Sequence, residues 1–186
     1  MSPSLRDLLE HHVPTDDKER ADLEAMRAFA ATLPSPFARD QWPAHFTGSA
    51  VVATPDSASV LLVLHAKLGR WLQPGGHADP IDEGAMEATA LREAREESGL
   101  DVALHPTAPR PLDVDMHVIP ARKADPEHRH LDVRYLLVAS NPTALAFDPT
   151  ESHGAQWLSW DEALERADEA PLRRLLLKAR AVLRGA

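Results

Sequence analysis

Three glutamates carry the most specific chemical signal in this chain: Glu93, Glu96 and Glu97, within Arg92-Glu-Ala-Arg-Glu-Glu-Ser-Gly-Leu100. The stretch reads as a helix over 85–98, because Met86, Ala90, Leu91 and Ala94 recur at helical spacing. Gly99 stands where a left-handed cap stops it. On a helix the three carboxylates fall within an arc of about 100°. Like charges that close cost a few tenths of a kcal/mol per pair. Two readings follow: a solvated acidic face, or a site that concentrates hard oxygen donors for a divalent cation such as Mg²⁺ or Mn²⁺. Arg92 lies four residues before Glu96 and is placed to hold one carboxylate.

The elements around this helix favour the metal reading. Ser59–His65 is apolar nearly throughout and reads as a strand buried on both faces. It leads through Gly69-Arg-Trp-Leu to Pro74-Gly75-Gly76, a loop whose backbone can approach a ligand without Cβ interference. Another strand is expected at Ser49–Thr54, with a turn at 55–57, and more at about 111–118 and 131–139. Trp157-Leu-Ser-Trp160 is a short apolar run, and a last helix spans roughly 161–183, broken near Pro171. Upstream, a short helix ends before Pro14, and Thr15 is placed to cap a second, with Asp16 and Asp17 in its first turn. Leu23, Met26, Ala30 and Leu33 give that helix an apolar face and a packing or dimer-forming role. Pro34, Pro36 and Pro43 mark 34–46 as a connecting loop. The order of elements implies a mixed α/β domain.

The bulk numbers narrow the partners. The chain has 186 residues, 29 acids against 20 Lys and Arg, and a net charge of −9. That length fits one domain with an N-terminal extension, and that charge makes nucleic acid and anionic lipid unlikely partners. The absence of cysteine excludes disulfides, zinc-thiolate sites and cysteine nucleophiles. No apolar run is long enough to span a membrane and Met1–Asp7 lacks an apolar signal core, so a cytoplasmic protein is expected.

Gly76, Glu83 and Arg92-Glu93-Ala94-Arg95-Glu96-Glu97-Ser98-Gly99-Leu100 together resemble the Nudix box: Gly, five residues, Glu, seven residues, then Arg-Glu-U-x-Glu-Glu-x-Gly-U, where U is a bulky aliphatic. The second half matches closely, apart from small Ala94 at the first U. The first half departs, with six residues between Gly76 and Glu83 and eight between Glu83 and Arg92. Taking Asp82 as the first acid restores the five-residue spacing and lengthens the second. Gly69–His77 also reads like the approach to this box in bacterial Nudix hydrolases.

The resemblance implies an α/β/α sandwich with a mixed sheet, an N-terminal helical extension and connecting loop over 1–45, and a Nudix domain over 46–186. It makes Glu93, Glu96 and Glu97 the metal-ligand positions and the Gly75 carbonyl a further ligand for Mg²⁺ or Mn²⁺. Glu93 is also a candidate to orient or deprotonate water. Family members often carry another acid on a late loop, for which Glu151 and Glu127 are the candidates. The family's isomerase branch calls for a cysteine that this chain lacks.

Residues 113–135 supply a second polar group. Asp113, Asp115 and His117 alternate with Leu112, Val114, Met116 and Val118, and His128, His130 and Asp132 align if extended. A solvated hairpin loop, a second metal site and a phosphate-binding edge are the readings. The spacing favours phosphate contact, with Arg122, Lys123, Arg129, His128 and His130 as candidates. His77 is a candidate pocket residue, His65 a strand-end residue, and Trp71 either stacks on a base or fills the core. The expected activity is metal-dependent hydrolysis of a diphosphate linkage in a nucleoside diphosphate derivative. The alternatives are removal of a 5′ diphosphate from RNA and a non-catalytic nucleotide sensor.

Overall fold

A computed structural model describes residues 3–122, 125–147, 149 and 152–185. Helix α1 (Leu5–His11) begins in a capping box between Ser4 and Asp7. Helix α2 (Asp17–Thr32) is capped by Asp16, whose carboxylate accepts the Glu19 N–H. The expected cap, Thr15, instead donates its own N–H and hydroxyl to the Glu19 side chain. An ionised carboxylate at the positive helix end takes the cap, and the threonine is used one turn further on.

The strands are β1 (Ala44–Ala53), β2 (Ser59–His65), β3 (Arg70–Leu72), β4 (Gly75–His77), β5 (Val102–Leu104), β6 (Asp113–Ile119), β7 (His128–Ala139) and β8 (Ser152–Ser159). Strand β1 starts earlier than the sequence suggests, because it runs parallel to β7 from Ala44↔Arg129 to Ala53↔Val138. That long ladder extends it into the stretch expected to be loop. The other pairings are antiparallel: β2 lies between β1 and β3 and also meets β8, β4 pairs with the first half of β1, and β5 and β6 pair with β7. The sheet is therefore mixed, with the order β3-β2-β1-β7-β5 along its main path.

Successive β1 residues point to opposite faces. Ala44, Phe46, Ala50 and Val52 join a core with Met86, Ala90 and Ala94 of α3 (Met86–Ser98) and with Leu8, Leu9, Leu23 and Met26 of the first two helices. Val51, Ala53, Val60 and Leu62 face the other way, onto α4 (Trp160–Arg166) and α5 (Ala170–Arg184). This is an α/β/α sandwich. Pro171 sits in the first turn of α5, where its missing N–H costs nothing, so the break falls just before it.

The N-terminal helices spend their apolar faces inside the chain. Helix α2 also seals the edge of β6: Glu19 accepts the Val114 N–H and Asp22 the Met116 N–H. Free edge N–H groups are a template for wrong pairing, and here two carboxylates occupy them. Among the described residues no helix is long and apolar enough to cross a membrane.

Candidate active site

On the α5 side the sheet changes character toward one end. His45, Thr47 and Ser49 on β1 stand beside His130, Asp132 and Arg134 on β7, which in turn face His117, Asp115 and Asp113 on β6. These three polar rows, together with β4 and α3, line a cleft of about 1350 Å³ that contains Gly75, Gly76, Glu93, Glu96 and Glu97. An extended strand with alternate polar residues can wall a cleft on one face and a core on the other.

Helix α3 presents its glutamates through one arginine. Arg92 donates Nε and one NH2 group to both oxygens of Asp82, at 3.1 and 3.0 Å, in a two-pronged fork. It also donates to the His77 carbonyl at 2.7 Å, to Glu93 at 3.0 Å and to Glu96 at 2.9 Å. Asp82 is buried and further receives the Asp79 N–H and the Thr89 hydroxyl. Burial raises its carboxyl, and the Arg92, Asp79 and Thr89 donors outweigh that and hold it below the ordinary carboxylate range.

The choice between Asp82 and Glu83 is thereby made by geometry. Asp82 closes a short 3-10 turn and points back at Arg92, while Glu83, at φ 51°, and Gly84, at φ 75°, form a left-handed step that absorbs the extra residues before α3. Glu83 lines the cleft.

The donor set fits a hard divalent cation. A Cβ at Gly76 would stand 2.5 Å from the Glu93 carboxyl carbon, and one at Gly75 would stand 2.2 Å from Ser49 Cβ. The close approach to Ser49 calls for glycine at 75, and a side chain at 76 would push the Glu93 carboxylate aside. The Gly75 N–H donates to Glu97 at 3.2 Å, so its peptide lies beside the acidic cluster. Carboxylates and a backbone carbonyl are the oxygen donors that Mg²⁺ and Mn²⁺ prefer.

Positive groups in the same cleft include Arg39, Lys67 and Arg70, and His65 lines it too. Arg134 lies deeper, buried and bound to Asp132, which also accepts from Thr47 and Ser49. His77 lines the cleft as well. Burial first, then the positive charge of Arg39 and the nearby His45 and His128 rings, brings His77 down to about 4, so it is a neutral ring at neutral pH.

The other residues singled out by sequence scatter. Arg122 lines a smaller neighbouring cavity with His45, His77, His128 and His130. Arg129 alternates to the opposite face of β7 from His128 and His130 and lines neither cavity; nor does Glu127, which is exposed. Lys123 and Glu151 lie outside the described residues. Trp71 packs against the α4–α5 core under the Arg166 guanidinium, 4.7 Å from the ring centre, which answers to the core reading. His45 was missed, because 34–46 reads as loop from its prolines. Its place in the alternation His45-x-Thr47-x-Ser49 was the available signal.

The NUDIX domain profile matches residues 44–179. No curated protein sequence matches the chain. Among solved structures, a NUDIX-family hydrolase from Clostridium perfringens is 25% identical, with a TM-score of 0.53 over 75% of this chain and 96% of that one. The Ap4A hydrolase of C. elegans, in a binary complex, is 21% identical, with a TM-score of 0.53 over 76% and 98%. The NUDIX domain of Shewanella oneidensis NrtR, complexed with ADP ribose, is 21% identical, with a TM-score of 0.51 over 84% and 97%. With a profile match across most of its length, the glutamate motif on α3 and the sandwich that carries it, the chain belongs to the NUDIX family.

Proposed function

We propose that this chain hydrolyses a diphosphate linkage in a small nucleoside diphosphate derivative, with Mg²⁺ or Mn²⁺ held by Glu93, Glu96, Glu97 and the Gly75 carbonyl. The observation that carries this reading is the glutamate cluster of α3, braced by the Asp82–Arg92 fork beside the two glycines of β4. A bound divalent ion neutralises phosphate oxygens and makes water a better nucleophile at neutral pH. The protein then has to position, shield and move protons, and no covalent nucleophile is needed.

Each residue has a part in that task. Arg92 holds Glu93 and Glu96 in register, and the Gly75 N–H orients Glu97. Glu93 is the residue we assign to orient the attacking water and take its proton. Arg39, Lys67 and Arg70 supply positive charge where substrate phosphates enter.

The test is release of phosphate and nucleotide from a panel with Mg²⁺, Mn²⁺ or EDTA. The panel holds ADP-ribose, a dinucleoside polyphosphate, a nucleotide sugar, NADH, CoA, nucleoside di- and triphosphates and 5′-triphosphate RNA. Cleavage of one small-molecule class, abolished by EDTA and by Glu97→Gln, is the expected result. Cleavage of the RNA alone moves the activity to RNA 5′ ends. Nucleotide binding with no turnover of any compound makes the chain a sensor and ends the hydrolase reading.

A further inference from the structure

We propose that His45, His128 and His130 form a second cation site, separate from the glutamates of α3, that takes a borderline transition-metal ion such as Zn²⁺ through imidazole nitrogens. Among the described residues these are the three His, Asp or Glu side chains whose ligand atoms all lie within 4.8 Å of one another. The backbone explains the convergence. His45 on β1 is directly opposite His130 on β7, and His128 lies two residues back on the same face. Ring centres are 4.9 Å apart for His45 and His130, 5.1 Å for His45 and His128, and 5.3 Å for His128 and His130.

Hydrogen bonding prepares two of the rings as ligands. Nδ1 of His128 is 2.8 Å from the Pro126 carbonyl, and Nδ1 of His45 is 3.3 Å from the Gln41 carbonyl. A carbonyl only accepts, so both Nδ1 atoms carry a proton, which in the neutral ring leaves the lone pair on Nε2. A second ring nitrogen bound to a backbone carbonyl is the arrangement that fixes a metal-ligating histidine.

Nε2 of His45 and Nε2 of His130 are buried with no hydrogen-bond partner, and they make up two of the four such side-chain atoms among the described residues. His45 is 1% exposed. A buried polar atom without a partner costs about 1–3 kcal/mol. A cation held between them would satisfy both. In a tetrahedral site with metal–nitrogen bonds of about 2.0–2.1 Å, ligand nitrogens stand roughly 3.3 Å apart, so a small inward movement of the rings suffices.

The surroundings suit a softer ion than Mg²⁺. The three donors are neutral nitrogens, which favour Zn²⁺ and its neighbours over hard cations. The site opens on a cavity of about 340 Å³ that also contains His77 and, balanced in charge, Asp40 and Asp125 with Arg39 and Arg122. The His77 ring, 5.1 Å from His45 and 4.8 Å from His130, is the nearest candidate for a fourth ligand. Because β4 runs from Gly75 to His77, its Gly76 faces Glu93 while its His77 faces this cluster. The inference does not rest on the proposed hydrolysis.

The experiment is a Zn²⁺ and Co²⁺ titration of the full chain in saturating Mg²⁺, followed by calorimetry and by the visible spectrum of the Co²⁺ form. We expect one ion per chain, the intense bands of four-coordinate Co²⁺, and a shift in the histidine ring resonances. His128→Gln and His130→Gln, each checked for folding by circular dichroism, should weaken Zn²⁺ roughly 100-fold or more, while Glu97→Gln leaves it unchanged. The wild-type Co²⁺ spectrum decides by itself if either variant is unfolded. No binding overturns the proposal; so does the pale spectrum of six-coordinate Co²⁺, or a titration lost in Glu97→Gln and kept in the histidine variants.

Discussion

Two charged regions line one cleft and are built on opposite terms. Around α3, three carboxylates, Asp82 from the turn before it and Glu93 and Glu96 on it, meet one guanidinium, Arg92, and Glu97 beside them accepts the Gly75 N–H. Beneath the polar rows of β6 and β7, five carboxylates, Glu19, Asp22, Asp113, Asp115 and Asp132, meet four cations, Lys18, Arg134, Arg174 and Lys178. The second region is closed and nearly neutral, and its side chains come from α2, β6, β7 and α5. It fastens the N-terminal helices and the last helix to the sheet. The first region is open and strongly negative. A fold tolerates like charges where solvent reaches them, as it reaches Glu96, and a cation can join them. It cannot tolerate them inside without partners.

If that contrast holds, the largest effect comes from breaking the closed network. Arg134→Met leaves buried Asp132 without a cation and takes one partner each from Asp113 and Asp115, and should cost about 3–5 kcal/mol in urea unfolding. A loss well under 1 kcal/mol would show that the network is ornament and remove the comparison.

Acid should attack the same region. Burial raises the carboxyls of Glu19 and Asp115, but their partners outweigh it and hold both well below the ordinary values of 4.5 and 3.8. For Glu19 these partners are His12, Lys178 and Thr15; for Asp115 they are His117, Arg134 and Lys18. The unfolded chain therefore takes up protons that the folded chain refuses. Their contribution is complete above the ordinary carboxylate range and is lost as pH falls below about 5. Unfolding free energies measured at stepped pH should fall below that point, and Glu19→Gln should flatten the slope. A wild-type curve flat through that range would contradict the assigned partners.

The open region should respond in the other currency. Glu97→Gln should lower kcat roughly 100-fold. Stability should be unchanged or slightly higher, since one like-charge contact with Glu93 disappears. A variant that lost stability instead would place Glu97 among the structural charges. Asp82→Asn frees Arg92 and should reduce kcat about tenfold, with some loss of stability because Thr89 and Asp79 lose an ionised acceptor. Smallest of all, Arg20→Ala breaks an exposed pair with Asp17 and should change stability by less than about 0.5 kcal/mol.

Much of this was legible in the chain. The α3 glutamates share a face because helical geometry alone puts residues three and four apart together, and Gly99 ends the helix with φ 66°, as its position demands. Two places resisted reading for different reasons. Asp82 and Glu83 are adjacent acids, and only the turn decides which one points at Arg92. His45 falls in a proline-rich stretch, and nothing local says that β7 will pair with it.

The amino-acid sequence by itself determined the family, the glutamate helix, the two glycines before it and the polar alternation of β6 and β7, since each depends on spacing within one short segment. Tertiary structure alone decided that α2 seals the edge of β6, that nine charged groups from four elements close into one network, and that histidines 83 and 85 residues apart in the chain meet on one face. Strand pairing across so long a separation is set by the whole sheet's register, and no local periodicity encodes it.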